Sequence, residues 1–203
     1  MPNKLIEITA RTEVADTHKL RTYFQDVDEQ TVKVLSEKYG HLVPPERLER
    51  MANQPTQFET PKDFIKTYRD AFGEKPEPGV VGYTEPGHPS HVSTVDMSGV
   101  PETVVHERLH QLADPRAENI LGTKLCEGIT EDLAIETSGQ KPEPGDPVAY
   151  PEERASAQAL RNKVGDDAIN TAYFQGDASK LKAGLDEALE RDARQKPNPA
   201  DKP

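Results

Sequence analysis

The chain has 203 residues, of which 33% are apolar and 30% charged, and its net charge is −11 at pH 7; that is enough for a domain with a modest core and long solvated helices. It contains no run of Lys and Arg that would mark a nucleic-acid binder, and no segment approaches the roughly 20 apolar residues that span a bilayer. The single cysteine, Cys126, forms no intrachain disulfide, and the first residues lack the apolar stretch of a secretory leader, so the sequence predicts a soluble chain made in the cytoplasm, with leaderless export or delivery left open.

In chain order, Lys4–Thr12 carries Leu5, Ile6 and Ile8 and predicts a first strand. Asp28–Tyr39 places Val32, Leu35 and Tyr39 on one helical face, with Gly40 as the stop. Pro44–Met51 opens with prolines suited to a helix start. Pro61–Phe72, with Phe64, Ile65, Tyr68 and Phe72, reads as an amphipathic helix closed by Gly73. After the turn-rich GEKPEPG, Val80–Thr84 and the alternating His91–Met97 predict two short strands, as a hairpin or as edges.

Val100–Leu112 returns to helical spacing, with Val105, Leu109 and Leu112 inward and Pro115 beyond its end. A second helix is expected over Ile120–Thr137, with Leu125, Ile129 and Leu133 inward and Gly139 as its stop. A proline-rich spacer follows, and then three helices over Glu152–Val164, Asp166–Phe174 and Ser179–Ala193. Their inward residues are read as Leu160 and Val164, then Ala168, Ala172 and Tyr173, then the stripe Leu181, Leu185 and Leu189. The polar tail from Gln195 is too rich in proline to pack.

The chemistry concentrates in VVHERLHQL, Val104–Leu112. His106 and His110 are four apart, one turn along the same helix face, so both imidazoles can reach one zinc ion. Glu107, beside that face, can take a proton from a zinc-activated water. The next helix reads LCEGITEDLA, with Glu127 and Glu131 four apart and off the apolar stripe. Glu127 is the expected third ligand, and Glu131 is placed to accept a hydrogen bond from the back nitrogen of His106 and so orient its ring. Gly128 is expected to let the preceding helix approach closely. Tyr150 and Tyr173 are candidates by residue type for stabilising an oxyanion.

HExxH also occurs in ordinary amphipathic helices, and paired glutamates usually form a solvated face. It is the second helix, following at a workable distance, that turns the motif into a metal site. Cys126 reads as a small buried hydrophobe rather than a thiolate ligand, and His18, His41, His88 and His91 read as surface or turn residues.

HERLH followed by EGITE resembles the gluzincin metallopeptidases, over roughly Val80–Thr137. The resemblance implies a compact zincin-like α+β fold, predominantly helical, with a small sheet, an HExxH helix and a glutamate helix. It implies one zinc ion on His106, His110 and Glu127, support from Glu131, and an edge strand, for which His91–Met97 is the candidate, pairing with a peptide or protein substrate. The interval from His110 to Glu127 is shorter than in the large peptidases and leaves Glu131 open as the third ligand. On this reading residues 75–140 form the metal-site core, flanked by a mostly helical segment 1–74 and a helical segment 141–194, with a disordered tail 195–203. The expected function is zinc-dependent peptide-bond hydrolysis; a catalytically inactive zincin-like binding module and a delivered toxin or effector peptidase domain are the alternatives.

Overall fold

The computed structural model describes residues 17–139 and 149–195. The expected strand at Lys4–Thr12, most of the proline-rich spacer and the tail beyond residue 195 lie outside the described residues. Helices α1 (Thr17–Tyr39), α2 (Pro45–Asn53) and α3 (Pro61–Phe72) come first, with strand β1 (Gln57–Glu59) between the second and third. Strands β2 (Gly82–Thr84) and β3 (Ser90–Ser93) lead into α4 (Val100–Leu112), α5 (Ala117–Leu121) and α6 (Thr123–Ser138). Helices α7 (Pro151–Val164), α8 (Asp166–Gln175) and α9 (Ser179–Gln195) follow. The architecture is α+β, predominantly helical with a small mixed sheet, and no helix among the described residues is long and apolar enough to cross a membrane.

The sheet order is β1-β3-β2. β3 runs parallel to β1, with Phe58 opposite Val92, and antiparallel to β2, with Tyr83 opposite His91 and Thr84 opposite Ser90. The expected hairpin is therefore present, though its second strand ends at Ser93 rather than Met97, and β3 is the central strand rather than an edge. The reason is β1, a three-residue strand that reaches β3 only through tertiary pairing. The two faces of the sheet differ. One stacks Tyr83 on His91 and packs Tyr83 against Phe64, Tyr68 and Phe72 of α3. The other turns Val92 into a small core with Val100 and Val104 and lays Gly82 and Thr84 against α4.

The main core gathers apolar residues from α1, α2 and α4 to α9, with Leu35, Met51, Leu109, Leu112, Ile129, Leu133, Ile169 and Phe174 almost fully enclosed. Helix α4 is buried on every side, which an amphipathic surface helix would not be. Its polar residues therefore need partners. Arg108, with no exposed surface, donates to Asp28 (Nε to Oδ1, 2.9 Å), to the carbonyls of Met51 (2.9 Å) and Gln54 (2.7 Å), and to the Gln111 amide oxygen (2.7 Å). Arg47 donates to the carbonyls of Leu112 and Phe174, both at 2.8 Å, and to Asp114 at 2.9 Å, satisfying an orphan carbonyl at the end of α4.

Three expectations change in detail. α1 begins ten residues or more before Asp28. The expected helix Ile120–Thr137 is two helices, because Gly122 adopts φ 82° and ψ 149°, which a chiral residue avoids and which breaks the helical ladder. On α9 the buried positions are Leu181 and Ala188, while Leu185 and Leu189 are exposed; Gly184 lies against Val164, so a narrow small-residue seam, not the leucine stripe, meets α7.

Candidate metal centre

His106 and His110 lie one turn apart on α4, and α6 crosses that face so that Glu127 meets both rings. The two Nε2 atoms are 3.1 Å apart. Glu127 Oε2 is 3.2 Å from Nε2 of His106 and 3.4 Å from Nε2 of His110. All three ligand atoms lie within 4.8 Å of one another, and this His/His/Glu group could hold a metal ion. A tetrahedral ion with bonds of about 2.0–2.1 Å separates its donors by about 3.3–3.4 Å, so the triangle has very nearly the edge lengths that zinc requires. The donor set, two imidazole nitrogens and one carboxylate oxygen, also suits that ion.

Glu131, one turn beyond Glu127, has its Oε2 3.1 Å from Nδ1 of His106, on the back of the ring. That contact separates the two glutamates: Glu127 meets the Nε2 atoms, Glu131 the far nitrogen. Burial pushes the His106 imidazole down, but the hydrogen bonds to Glu127 and Glu131 outweigh it and hold the ring at about 10. Burial pushes the Glu127 carboxyl up, and the two histidines more than reverse this, leaving it well below the usual carboxylate range.

Glu107 is 5% exposed, on the flank of α4 towards the sheet. Burial raises its carboxyl above the ordinary value, opposed by His106, His110 and the hydroxyl of Thr84, whose Oγ1 is 2.9 Å from Oε2. Gly82 lies directly under the same side chain: a Cβ there would stand 2.6 Å from Glu107 Oε1 and 2.9 Å from its Cγ. Nothing in the local pattern of residues 80–90 announces these contacts.

Tyr150 also comes to the cluster. Its ring stacks on His106 with centroids 5.6 Å apart, and its hydroxyl hydrogen-bonds Glu127. Burial, followed by the charges of Glu127, Glu107 and Glu131, raises this phenol. The backbone of Tyr150 is left-handed, φ 52° and ψ 49°, the one non-glycine with positive φ among the described residues and the residue before Pro151. Such conformations cost on the order of 1–3 kcal/mol and persist where surrounding contacts hold them. Gly128 packs against the start of α7: a Cβ on it would clash with the Glu153 carbonyl, so the space it leaves is taken by that helix, where α4 was expected.

The other candidates lie elsewhere. Tyr173 is fully buried in α8, its hydroxyl 2.6 Å from that of Thr130. Cys126 is buried, and burial pushes its thiol up to about 12, which leaves it protonated. His91 pairs with Glu59 (Nδ1 to Oε1, 2.9 Å) on the α3 face of the sheet. No protein-family profile matches the sequence, and no match was found among curated proteins or solved structures.

Proposed function

We propose that this chain is a zinc-dependent peptidase of the gluzincin kind, with His106, His110 and Glu127 as ligands. The observation that carries the reading is the triangle of donor atoms, with sides of 3.1, 3.2 and 3.4 Å, reached by two residues at i, i+4 on α4 and one on α6. Three carboxylates, Glu107, Glu127 and Glu131, surround two histidines there, a charge balance that favours a cation.

Bound zinc would act as a Lewis acid, polarising a peptide carbonyl and lowering the pKa of water towards neutrality. Glu107 then takes the proton of the attacking water and passes it to the leaving amine; its burial raises its affinity for that proton, which suits a group that must hold and release it. Glu131 accepts from Nδ1–H of His106, so Nε2 faces the metal. Tyr150, whose phenol stays protonated, is a hydrogen-bond donor for the oxyanion once it leaves Glu127. The substrate-pairing edge is assigned to β2, which lies at the end of the sheet order and against Glu107, in place of β3.

The test is metal content on the purified chain after incubation with zinc, with hydrolysis of an unbiased peptide pool measured beside it. One zinc per chain is expected in the wild type and in Glu107→Gln, with hydrolysis only in the wild type. Zinc is lost in Glu127→Gln and weakened by roughly 10–100-fold in Glu131→Gln. A wild-type chain that takes up no zinc would overturn the reading. Full hydrolysis by Glu107→Gln would overturn the mechanism alone, and zinc without hydrolysis in the wild type would leave a metal-holding binding module.

A further inference from the structure

We propose that strand β2 positions Glu107: Gly82 provides the space for its side chain, and the Thr84 hydroxyl fixes its carboxylate. This rests on the reading of Glu107 as the proton-accepting group beside the metal.

The terminal torsion of a glutamate is broad, so a carboxylate that must meet a water molecule at one point needs an external hold. Thr84 Oγ1 lies 2.9 Å from Glu107 Oε2, 3.1 Å from the Glu107 carbonyl and 2.9 Å from Ser90 Oγ. A hydroxyl has one proton to give, and a carboxylate is the strongest of these acceptors. Ser90 Oγ, which is fully buried, lies on the acceptor side of the same Thr84 hydroxyl. The sheet sets where that hydroxyl stands, because Thr84 and Ser90 are directly opposed in the β2–β3 register.

Gly82 is the second constraint on the same side chain, two residues back on the same face of β2. A methyl group there would stand 2.7 Å from Thr103 Cγ2 as well as 2.6 Å from Glu107 Oε1, so the carboxylate, the flexible partner, would have to move. A buried glutamate serving only the core would need a donor but no empty position beneath it. Because β2 is also the edge assigned to the substrate, one strand would set both the register of the peptide and the position of the proton acceptor.

The experiment uses zinc-loaded full-length chain and acetohydroxamate, a metal-chelating probe whose hydroxyl proton passes to a neighbouring carboxylate. Its dissociation constant is measured by calorimetry for wild type, Glu107→Gln, Thr84→Val, Thr84→Ser and Gly82→Ala, with zinc content as the control for an intact site. Thr84→Val should weaken binding by about tenfold, the effect of one hydrogen bond to a charged group. Thr84→Ser should restore it to within about twofold, since the hydroxyl is retained. Gly82→Ala should weaken binding at least as much as Thr84→Val. On a cleaved peptide, Thr84→Val should lower kcat by roughly 10–100-fold with KM little changed. Wild-type binding by Thr84→Val beside weakened binding by Glu107→Gln would overturn the proposal and leave the metal chemistry standing. A zinc-loaded Thr84→Ser chain that binds no better than Thr84→Val would overturn it too. Wild-type binding by Glu107→Gln would overturn the reading of Glu107 and the proposal with it.

Discussion

The two sides of α4 both bury charge, and they do so differently. On one side Arg108 meets Asp28, and every remaining guanidinium direction ends on a carbonyl or an amide oxygen, with Thr56 completing Asp28 at 2.6 Å. One cation answers one anion. On the other side, three carboxylates face two imidazoles, and His106 has to be held in its protonated form for the balance to improve. A buried network complete in itself holds helices together; one with surplus negative charge is a group that could hold a metal ion. His106 and His110 belong to the second network and Arg108 to the first, on different faces of the one helix.

Breaking the balanced side should have the largest effect. Arg108→Met leaves the Asp28 carboxylate buried without its cation and should cost about 3–5 kcal/mol of stability, read from the urea midpoint. The loss should be the same with and without zinc. A loss below about 1 kcal/mol would mean that water or another group compensates Asp28, and the contrast between the two sides would fail.

The surplus side should respond to metal instead. Zinc at about 100 times its dissociation constant should raise wild-type stability by about 2.7 kcal/mol, and Glu127→Gln should lose most of that gain. If zinc raised both proteins equally, the ion would be bound elsewhere.

Gly128→Ala probes the joint between the metal helix and Tyr150. The added methyl meets the Glu153 backbone, which has no flexible end to yield, so α7 must shift at a cost of roughly 1–3 kcal/mol. The shift carries Tyr150 off His106, so both chains should take up zinc, and a tyrosine absorbance change expected on loading the wild type should be missing from the variant. Unchanged stability would show that α7 moves freely there.

How much of this was legible in the chain follows the range of each contact. His106, Glu107, His110, Glu127 and Glu131 could be read because i, i+4 spacing fixes a helix face without knowledge of the fold. The order of the sheet could not: β1 is three residues long and carries no alternation of its own, and its pairing with β3 spans α3 and β2. Arg108 and Asp28 are 80 positions apart, and neither has a local signature of burial. Tyr150 was accessible only by residue type, because its placement depends on Gly128 and α7. The early part of α1 is a different case, for Leu20, Phe24 and Val27 do recur at helical spacing, with the last two packed on the small core, so its signal is local to the sequence.

Asp114, just past the end of α4, gives the smallest effect and tests whether the balanced networks extend there. Burial raises its carboxyl, but Arg116 and then Arg47 outweigh it and hold it below the usual aspartate range. A carboxyl depressed in the folded state adds stability that is fully present above the unfolded pKa of about 3.9 and is lost as pH falls through the lower folded value. Stability should therefore be flat in this contribution from pH 7 to about pH 5 and decline below about pH 4. Asp114→Asn should cost on the order of 1.5 kcal/mol at pH 7, the scale of a hydrogen bond to a charged group, and should make the acid decline shallower. Denaturant midpoints from pH 7 down to about pH 3 measure both quantities. An equally steep decline in the variant would assign the acid sensitivity to other carboxylates and would limit the balanced side of α4 to the Arg108–Asp28 pair.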